Sequence, residues 1–335
     1  MQLTVIKEES DSRVAMIPAA AKKYIELGLE VVVQKGAGEA AGFTDEEYQS
    51  AGAKIAKDLE SAVNAADIII KVRAPSKKEI SKFAPQAILI TNLADADTDA
   101  LAILKERRIM TFALEKMPRI SRAQSMDILS SQSNIAGYRA VVDAFYEYNK
   151  VVPMMMTAAG TIPAAKVLVL GVGVAGLQAI ATAKRMGAIV FASDIRPETK
   201  EQVESLGAKF TPSEDVAKQL TLSDIVITSA IVAGKKAPVL ISDSDIEAMK
   251  AGAVIVDMAA ASGGNVQGTK AGDTALIHGV KVLGKADLAG ELAPDASMLL
   301  SKNYLNFITP MIKGGKLGID FNDDIYKVTC VCVGK

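Results

Sequence analysis

Lys166-Val-Leu-Val-Leu-Gly171-Val-Gly173-Val-Ala-Gly176-Leu-Gln-Ala179, followed by Phe191-Ala-Ser-Asp194, decides the fold. A short apolar run feeds a Gly-x-Gly-x-x-Gly turn, an apolar helical stretch follows, and a second apolar run ends in an acid. That succession is the strand-helix-strand unit of dinucleotide binding. Gly171 permits the tight turn, Gly173 lets the backbone approach a pyrophosphate, and Gly176 lets the helix pack on its strand, with the helix N-terminus facing the phosphate charge. Asp194 accepts from a ribose 2′-hydroxyl and repels a 2′-phosphate, so NAD(H) is favoured over NADP(H). The neighbouring Arg196 weakens that discrimination.

Composition agrees with an α/β chain. At 335 residues there is room for two domains. Half the residues are hydrophobic, only 4% are aromatic and none is Trp, so small aliphatic side chains dominate, as in parallel sheets covered on both faces. The net charge of −1 gives no nucleic-acid footprint. Cys330 and Cys332 are the only cysteines, too few and too close for a disulfide framework, which points to a reduced, cytosolic-type compartment. No His/Cys cluster has metal-ligand spacing, so no metal is expected. The start Met1-Gln-Leu-Thr-Val-Ile lacks the pattern of a signal peptide, and the apolar stretch Val167 to Ala183 is too short and glycine-rich to span a membrane, so the expectation is a soluble chain.

Outward from the fingerprint, apolar runs alternate with helical patterns in both directions. Strands are expected at Leu3 to Ile6, Glu30 to Gln34, Ile68 to Val72, Ala87 to Leu93 and Met110 to Leu114. Helices are expected at Ala19 to Leu27, Asp45 to Ala51, Asp58 to Asn64 and Thr98 to Glu106. Met117 to Gln132 is polar and serine-rich, and helix periodicity resumes at Ile135 through Tyr148. Further strands follow at Asp224 to Ala230, Ala253 to Met258 and Lys281 to Gly284, then a helix at Ala296 to Phe307. The fold class is α/β, two Rossmann-like domains with parallel sheets. The first is discontinuous, residues 1–135 plus 312–335, because the last stretch is too short for a domain of its own; the second spans 136–311. Met154-Met-Met156 is open to two readings, a contact surface or core packing. His278, the only histidine, reads as a loop or strand-edge residue.

The segment Met117-Pro-Arg-Ile-Ser-Arg-Ala-Gln-Ser-Met-Asp-Ile-Leu-Ser-Ser-Gln-Ser-Asn134, with Met154-Met-Met-Thr-Ala-Ala-Gly160, Arg13-Val-Ala-Met-Ile-Pro18, Lys71-Val-Arg-Ala-Pro75 and the fingerprint, resembles the NAD(H)-binding component of proton-translocating NAD(P) transhydrogenase. The resemblance covers nearly the whole chain. It implies that this chain holds NAD(H), that NADP(H) sits on a partner component, and that hydride passes directly between nicotinamides while a membrane-spanning subunit translocates protons. It also implies a homodimer, peripheral to the cytoplasmic face of the inner membrane through its partners.

Matched position by position, the resemblance gives Arg119, Gln124 and Asp127 catalytic roles around the nicotinamide, with Ile120, Ser121, Arg122 and Ser130 alongside. Arg119 contacts phosphate or carboxamide, Gln124 sets the nicotinamide ribose and the transfer geometry, and Asp127 orients Arg119 or the carboxamide. Val174, Asp194, Ile195, Arg196 and Ile231 line the rest of the nucleotide, with Gly171, Gly173 and Gly176 at its pyrophosphate. One departure stands out: the family's longer mobile loop is reduced here to Phe210 to Ser223, room for one short helix.

The family is related to alanine dehydrogenase, which supplies a competing reading. Arg13 and Lys71 match positions that hold the substrate carboxylate and carbonyl there, as relics of such a site or as members of plain salt bridges. That enzyme also needs a histidine where this chain has Thr91-Asn92-Leu93, and an acid where it has Ala259-Ala-Ala261-Ser-Gly263-Gly264. Reducing an imine or ketone requires a positioned proton donor, whereas hydride exchange between two nicotinamides requires none. A third reading is a non-catalytic NAD(H)-binding module.

Overall fold

A computed structural model describes residues 1–94, 96–232 and 235–332. The chain divides into two compact units, Met1–Gln132 with Leu292–Lys335, and Ser133–Glu291. Each is built on a seven-stranded, largely parallel sheet.

In the first unit the spatial order is Cys330–Cys332, Met110–Ala113, Ile88–Thr91, Ile68–Ile70, Gln2–Val5, Glu30–Gln34, Lys54–Ala56. Every neighbour pairs in parallel except Cys330–Cys332, which runs antiparallel to Met110–Ala113. Both faces are buried, and alternate residues feed opposite cores. Ile68, Ile70, Ile88 and Ile90 join one cluster with Leu3 and Val5, while Ile69 and Leu89 join another with Ile80 and Leu104. The second unit repeats the pattern in the order Lys209–Phe210, Ile189–Ser193, Lys166–Leu170, Ile225–Thr228, Val254–Asp257, Val280–Gly284, Thr274–Ile277, with only the last strand antiparallel. Numbered in chain order within each unit, the first sheet reads 3-2-1-4-5-6-7 and the second 3-2-1-4-5-7-6, so both keep the doubly wound core 3-2-1-4-5.

Four features depart from the sequence reading. Helix Ala293–Ile308, expected in the second domain, packs into the first unit: Leu300, Tyr304 and Phe307 are buried with Leu3, Val5 and Phe112. Phe112, Phe307 and Tyr326 meet edge to face at centroid distances of 5.3–6.1 Å. The division therefore falls at Leu292, not 311, because helical periodicity reveals an apolar face without revealing which core receives it. Second, the helix expected from Ile135 starts at Ile128 and runs to Glu147. Asp127 accepts from the Ser130 N–H, so the serine-rich stretch is its capped first turns. Third, strand Lys54–Ala56 and helix Lys77–Lys82, the latter opened by a Ser76/Glu79 capping box, carry too little periodicity to be read. Fourth, Thr274–Ile277 pairs with Val280–Gly284 as a hairpin whose two turn residues, His278 and Gly279, both have positive φ. His278 thus lies in a turn, 3.1 Å from Asp243.

Met154, Met155 and Met156 are exposed, at and beside a small hairpin formed by Met155–Thr157 and Gly160–Ile162, so the core-packing reading of that run does not hold. Strand Lys209–Phe210 is followed only by a 3₁₀ turn, Ser213–Asp215, and the seven-residue helix Val216–Leu222. Among the described residues, no helix is long and apolar enough to cross a membrane.

Candidate functional site

In the second unit the three glycines meet three different constraints. Gly171 ends its strand at φ +93°, and a Cβ there would lie 3.0 Å from the Ala230 nitrogen and 3.1 Å from the Ser229 carbonyl carbon. Gly176 lies so close to the strand end that a Cβ would collide with the Gly171 carbonyl oxygen. Gly173 differs from both. It is extended (φ −81°, ψ −167°), with open space where a Cβ would be. Any residue fits that backbone, so the fold itself does not demand a glycine there. It stands at the N-cap of helix Val174–Arg185 with no side chain capping the first turn, which leaves the helix's leading N–H groups available to an anion.

Asp194 closes the next strand, Ile189–Ser193. Its carboxylate accepts from the Val172 N–H (2.7 Å) and from the backbone N–H, Nε and Nη2 of Arg196 (2.9, 2.9 and 3.0 Å). Burial pushes its pKa up, but the Arg196 guanidinium and the Val172 N–H more than offset this and hold the carboxyl below its ordinary range. Arg196 also donates to the Val172 carbonyl at 3.1 Å, so acid and base form one clasp on the glycine turn. Val174, Ile195 and Ile231 expose their apolar side chains, Ile195 to 91%.

Asp257 and Asn265, which the sequence reading passed over, pin the segment facing Gly171. Asn265 donates to the Ala230 and Pro238 carbonyls (both 2.8 Å) and accepts from the Ala230 N–H (3.0 Å). Asp257 in turn accepts from the Asn265 and Val266 N–H groups (2.9 and 3.1 Å). Both side chains are fully buried. A polar pair at the end of an apolar strand, in Asp257-Met-Ala-Ala, and just after Gly263-Gly264 was the available signal.

In the first unit, Ser121–Met126 forms a 3₁₀ segment anchored by the buried Ala123 and Met126, with Arg119, Ile120, Ser121, Arg122 and Gln124 exposed. Arg119 and Asp127 are not paired. Asp127 is bonded to Ser130, through the backbone N–H at 3.0 Å and Oγ at 2.6 Å, and so caps the following helix instead of orienting Arg119. Arg122 makes a two-fold ion pair with Asp323, each contact 2.6 Å.

The first unit's own switch point, between strands Gln2–Val5 and Ile68–Ile70, has no glycine turn. Glu8 occupies it. Its carboxylate accepts from the Val72 N–H (2.7 Å), the Arg73 N–H (3.3 Å) and the Lys71 ammonium (2.8 Å), and Lys71 also meets Glu79 at 3.2 Å. Burial raises the Glu8 pKa. Lys71, although buried, is held above its ordinary value because two carboxylates share it. Arg13 donates to Asp11 through Nε and Nη2 (2.8 and 2.6 Å) and to Gln132 (2.9 Å). Arg13 and Lys71 are thus members of internal ion pairs, the plainer of the two sequence readings.

Against known proteins, the family description "Alanine dehydrogenase/PNT, N-terminal domain" matches residues 4–136, and "Alanine dehydrogenase/PNT, C-terminal domain" matches residues 140–335. The first part of the NAD(P) transhydrogenase alpha subunit of Rhodospirillum rubrum is 45% identical over 368 aligned positions, covering 99% of this chain and 96% of that protein. The transhydrogenase structure from Sinorhizobium meliloti superposes with a TM-score of 0.93 at 44% identity, covering 100% of this chain and 98% of that one. An L-alanine dehydrogenase structure gives 0.87 at 26% identity, covering 100% and 96%.

Proposed function

The chain belongs to the alanine dehydrogenase/PNT family, and from that premise we propose that it is the NAD(H)-holding component of a proton-translocating NAD(P) transhydrogenase. Gly173 is the observation that carries the reading: a glycine the backbone does not need, at the uncapped start of a helix, is explained by the close approach of a pyrophosphate. When bound, NADH supplies the hydride. The leading N–H groups of Val174–Arg185 meet the pyrophosphate, with Gly171 and Gly176 holding the turn that aims them. Asp194 would accept from the ribose, and Val174, Ile195 and Ile231 would cover apolar faces of the nucleotide. Arg119 contacts phosphate or carboxamide and Gln124 orients the nicotinamide ribose. Asp127, locked to Ser130, presents a fixed edge of the loop, with Ile120, Ser121 and Arg122 alongside the nucleotide.

The residues the chain lacks point the same way. Thr91 donates to the Arg73 carbonyl at 2.8 Å, a neutral hydroxyl where a dehydrogenase would need a proton donor. Direct transfer requires the two reacting carbons to approach to about 3–3.5 Å, which one chain with one fingerprint cannot arrange alone. NADP(H) therefore sits on a partner component and proton translocation belongs to a membrane-spanning subunit. Together they keep this chain at the cytoplasmic face of the membrane. A homodimer accords with the exposed methionine hairpin, an apolar surface of the kind that pairing covers.

The test is to mix the chain with an NADP(H)-binding transhydrogenase component, NADH and an NADP⁺ analogue. Reduction of the analogue that depends on both proteins is expected. Pyruvate- and ammonium-dependent NADH oxidation by the chain alone would establish the alanine dehydrogenase reading instead, and NADH binding without transfer would leave a binding module.

A further inference from the structure

Gln124 sits on the short 3₁₀ segment Ser121–Met126, closed at its ends by the Ala123 N–H to Ile120 O bond at 3.0 Å and the Asp127 N–H to Gln124 O bond at 3.4 Å. Its two flanks are gripped from far along the chain. On one side, Arg122 donates Nη1 and Nη2 to the two oxygens of Asp323, both at 2.6 Å. On the other, the Ser125 carbonyl accepts from Asn303 Nδ2 (2.9 Å) and Asn306 Nδ2 (3.1 Å), both on helix Ala293–Ile308. Asn303 is itself fixed, buried and accepting from Ser131 Oγ at 2.7 Å. Asp323 is fixed as well, since its Oδ1 caps helix Asp324–Thr329 by accepting from the Ile325 N–H at 2.9 Å.

We propose that Asp323, Asn303 and Asn306 are positioning residues that set the place of Gln124 for hydride transfer, through Arg122 and the Ser125 carbonyl. Three physical points carry this. A two-fold guanidinium–carboxylate pair fixes direction as well as distance. The pair is solvent-exposed on the Arg122 side, where such pairs contribute little to stability, so fold maintenance does not account for it. The two grips bracket Gln124, at residues 122 and 125, so releasing either one lets the turn shift. None of the three residues needs to touch the nucleotide. The inference rests on the transhydrogenase reading for its functional consequence, but the mechanical part stands on the geometry alone.

Asp323→Ser removes the carboxylate from Arg122 and keeps a strong helix cap. In the full chain with its NADP(H)-binding partner, hydride transfer is expected to fall roughly five- to tenfold, since displacements of about 1 Å cost up to on the order of 10²-fold. NADH affinity should stay within about twofold, because the fingerprint is untouched. Amide exchange over residues 120–127 should quicken roughly tenfold, as the turn opens locally. The double variant Arg122→Gln/Asp323→Ser should be no slower than Asp323→Ser, since both remove one interaction. Asn306→Ala should reproduce the pattern more weakly. A wild-type transfer rate or wild-type amide exchange in Asp323→Ser overturns the proposal, as does independent addition of the two single effects. If the unsubstituted chain transfers no hydride, the functional reading falls, and amide exchange alone decides whether the grips hold the turn.

Discussion

The two sheets share the strand order 3-2-1-4-5, and at the same topological position they do different things. In the second unit, the strand Lys166–Leu170 ends in Gly171, which faces Ser229 and Ala230 directly and leaves the helix start beyond it open. In the first, the strand Gln2–Val5 runs on into Ile6-Lys7-Glu8, and the Glu8 carboxylate takes the Val72 and Arg73 N–H groups. One switch point offers its N–H groups to an incoming anion. At the other, an acid of the chain's own occupies the switch point and takes the N–H groups that follow strand Ile68–Ile70. Fold alone therefore does not assign nucleotide binding; the side chain at the turn does.

The glycines break this comparison most sharply. Gly176→Ala forces a Cβ into the Gly171 carbonyl and should destabilise the second unit by about 3 kcal/mol, read as a lowered urea midpoint. Gly173→Val should leave that midpoint unchanged, because the site around it is open, yet weaken NADH binding by roughly 10²-fold, about 2.7 kcal/mol. Titration of NADH fluorescence separates the two outcomes. Normal binding by Gly173→Val would remove the main support for the pyrophosphate site.

Glu8→Ala sharpens the other half. It strips a buried partner from two backbone N–H groups and half the neutralisation from Lys71, so the first unit should lose about 2 kcal/mol. NADH affinity should be unaltered. A large loss of NADH binding in this variant would mean that the first switch point takes part in holding the nucleotide.

The smallest effect concerns Asp194. Asp194→Asn can keep the acceptor for the Val172 N–H but loses the charge and turns an NH2 toward the Arg196 N–H and Nε. NADH affinity should drop roughly tenfold, about 1.4 kcal/mol, while NADPH binding, no longer opposed by a carboxylate, should improve. Equal losses for both nucleotides would show that Asp194 holds the turn without selecting the ribose.

Much of this contrast was legible in the sequence, because it rests on local chemistry. The apolar runs located most strands, the glycine spacing located the turn, and the short stretch from Phe210 to Ser223 announced its single α-helix. What escaped depends on distance along the chain. Nothing near Ala293–Ile308 reveals that Tyr304 and Phe307 bury beside Phe112, and nothing near Arg122 reveals Asp323. Nothing near Glu8 reveals that the Val72 and Arg73 N–H groups, 64 and 65 residues away, come to face it. The serines at 130 and 131 hid seven helical residues, because their meaning turns on Asp127 as a cap.

Direct transfer is the claim most exposed to contradiction, and isotope labelling addresses it. With NADH deuterated at the transferred position, the NADP(H)-binding component and an NADP⁺ analogue, the account predicts that deuterium appears in the reduced analogue and none in water, at a rate that depends on both proteins. Loss of the label to solvent, or NADH oxidation driven by pyruvate and ammonium without the partner, would contradict it.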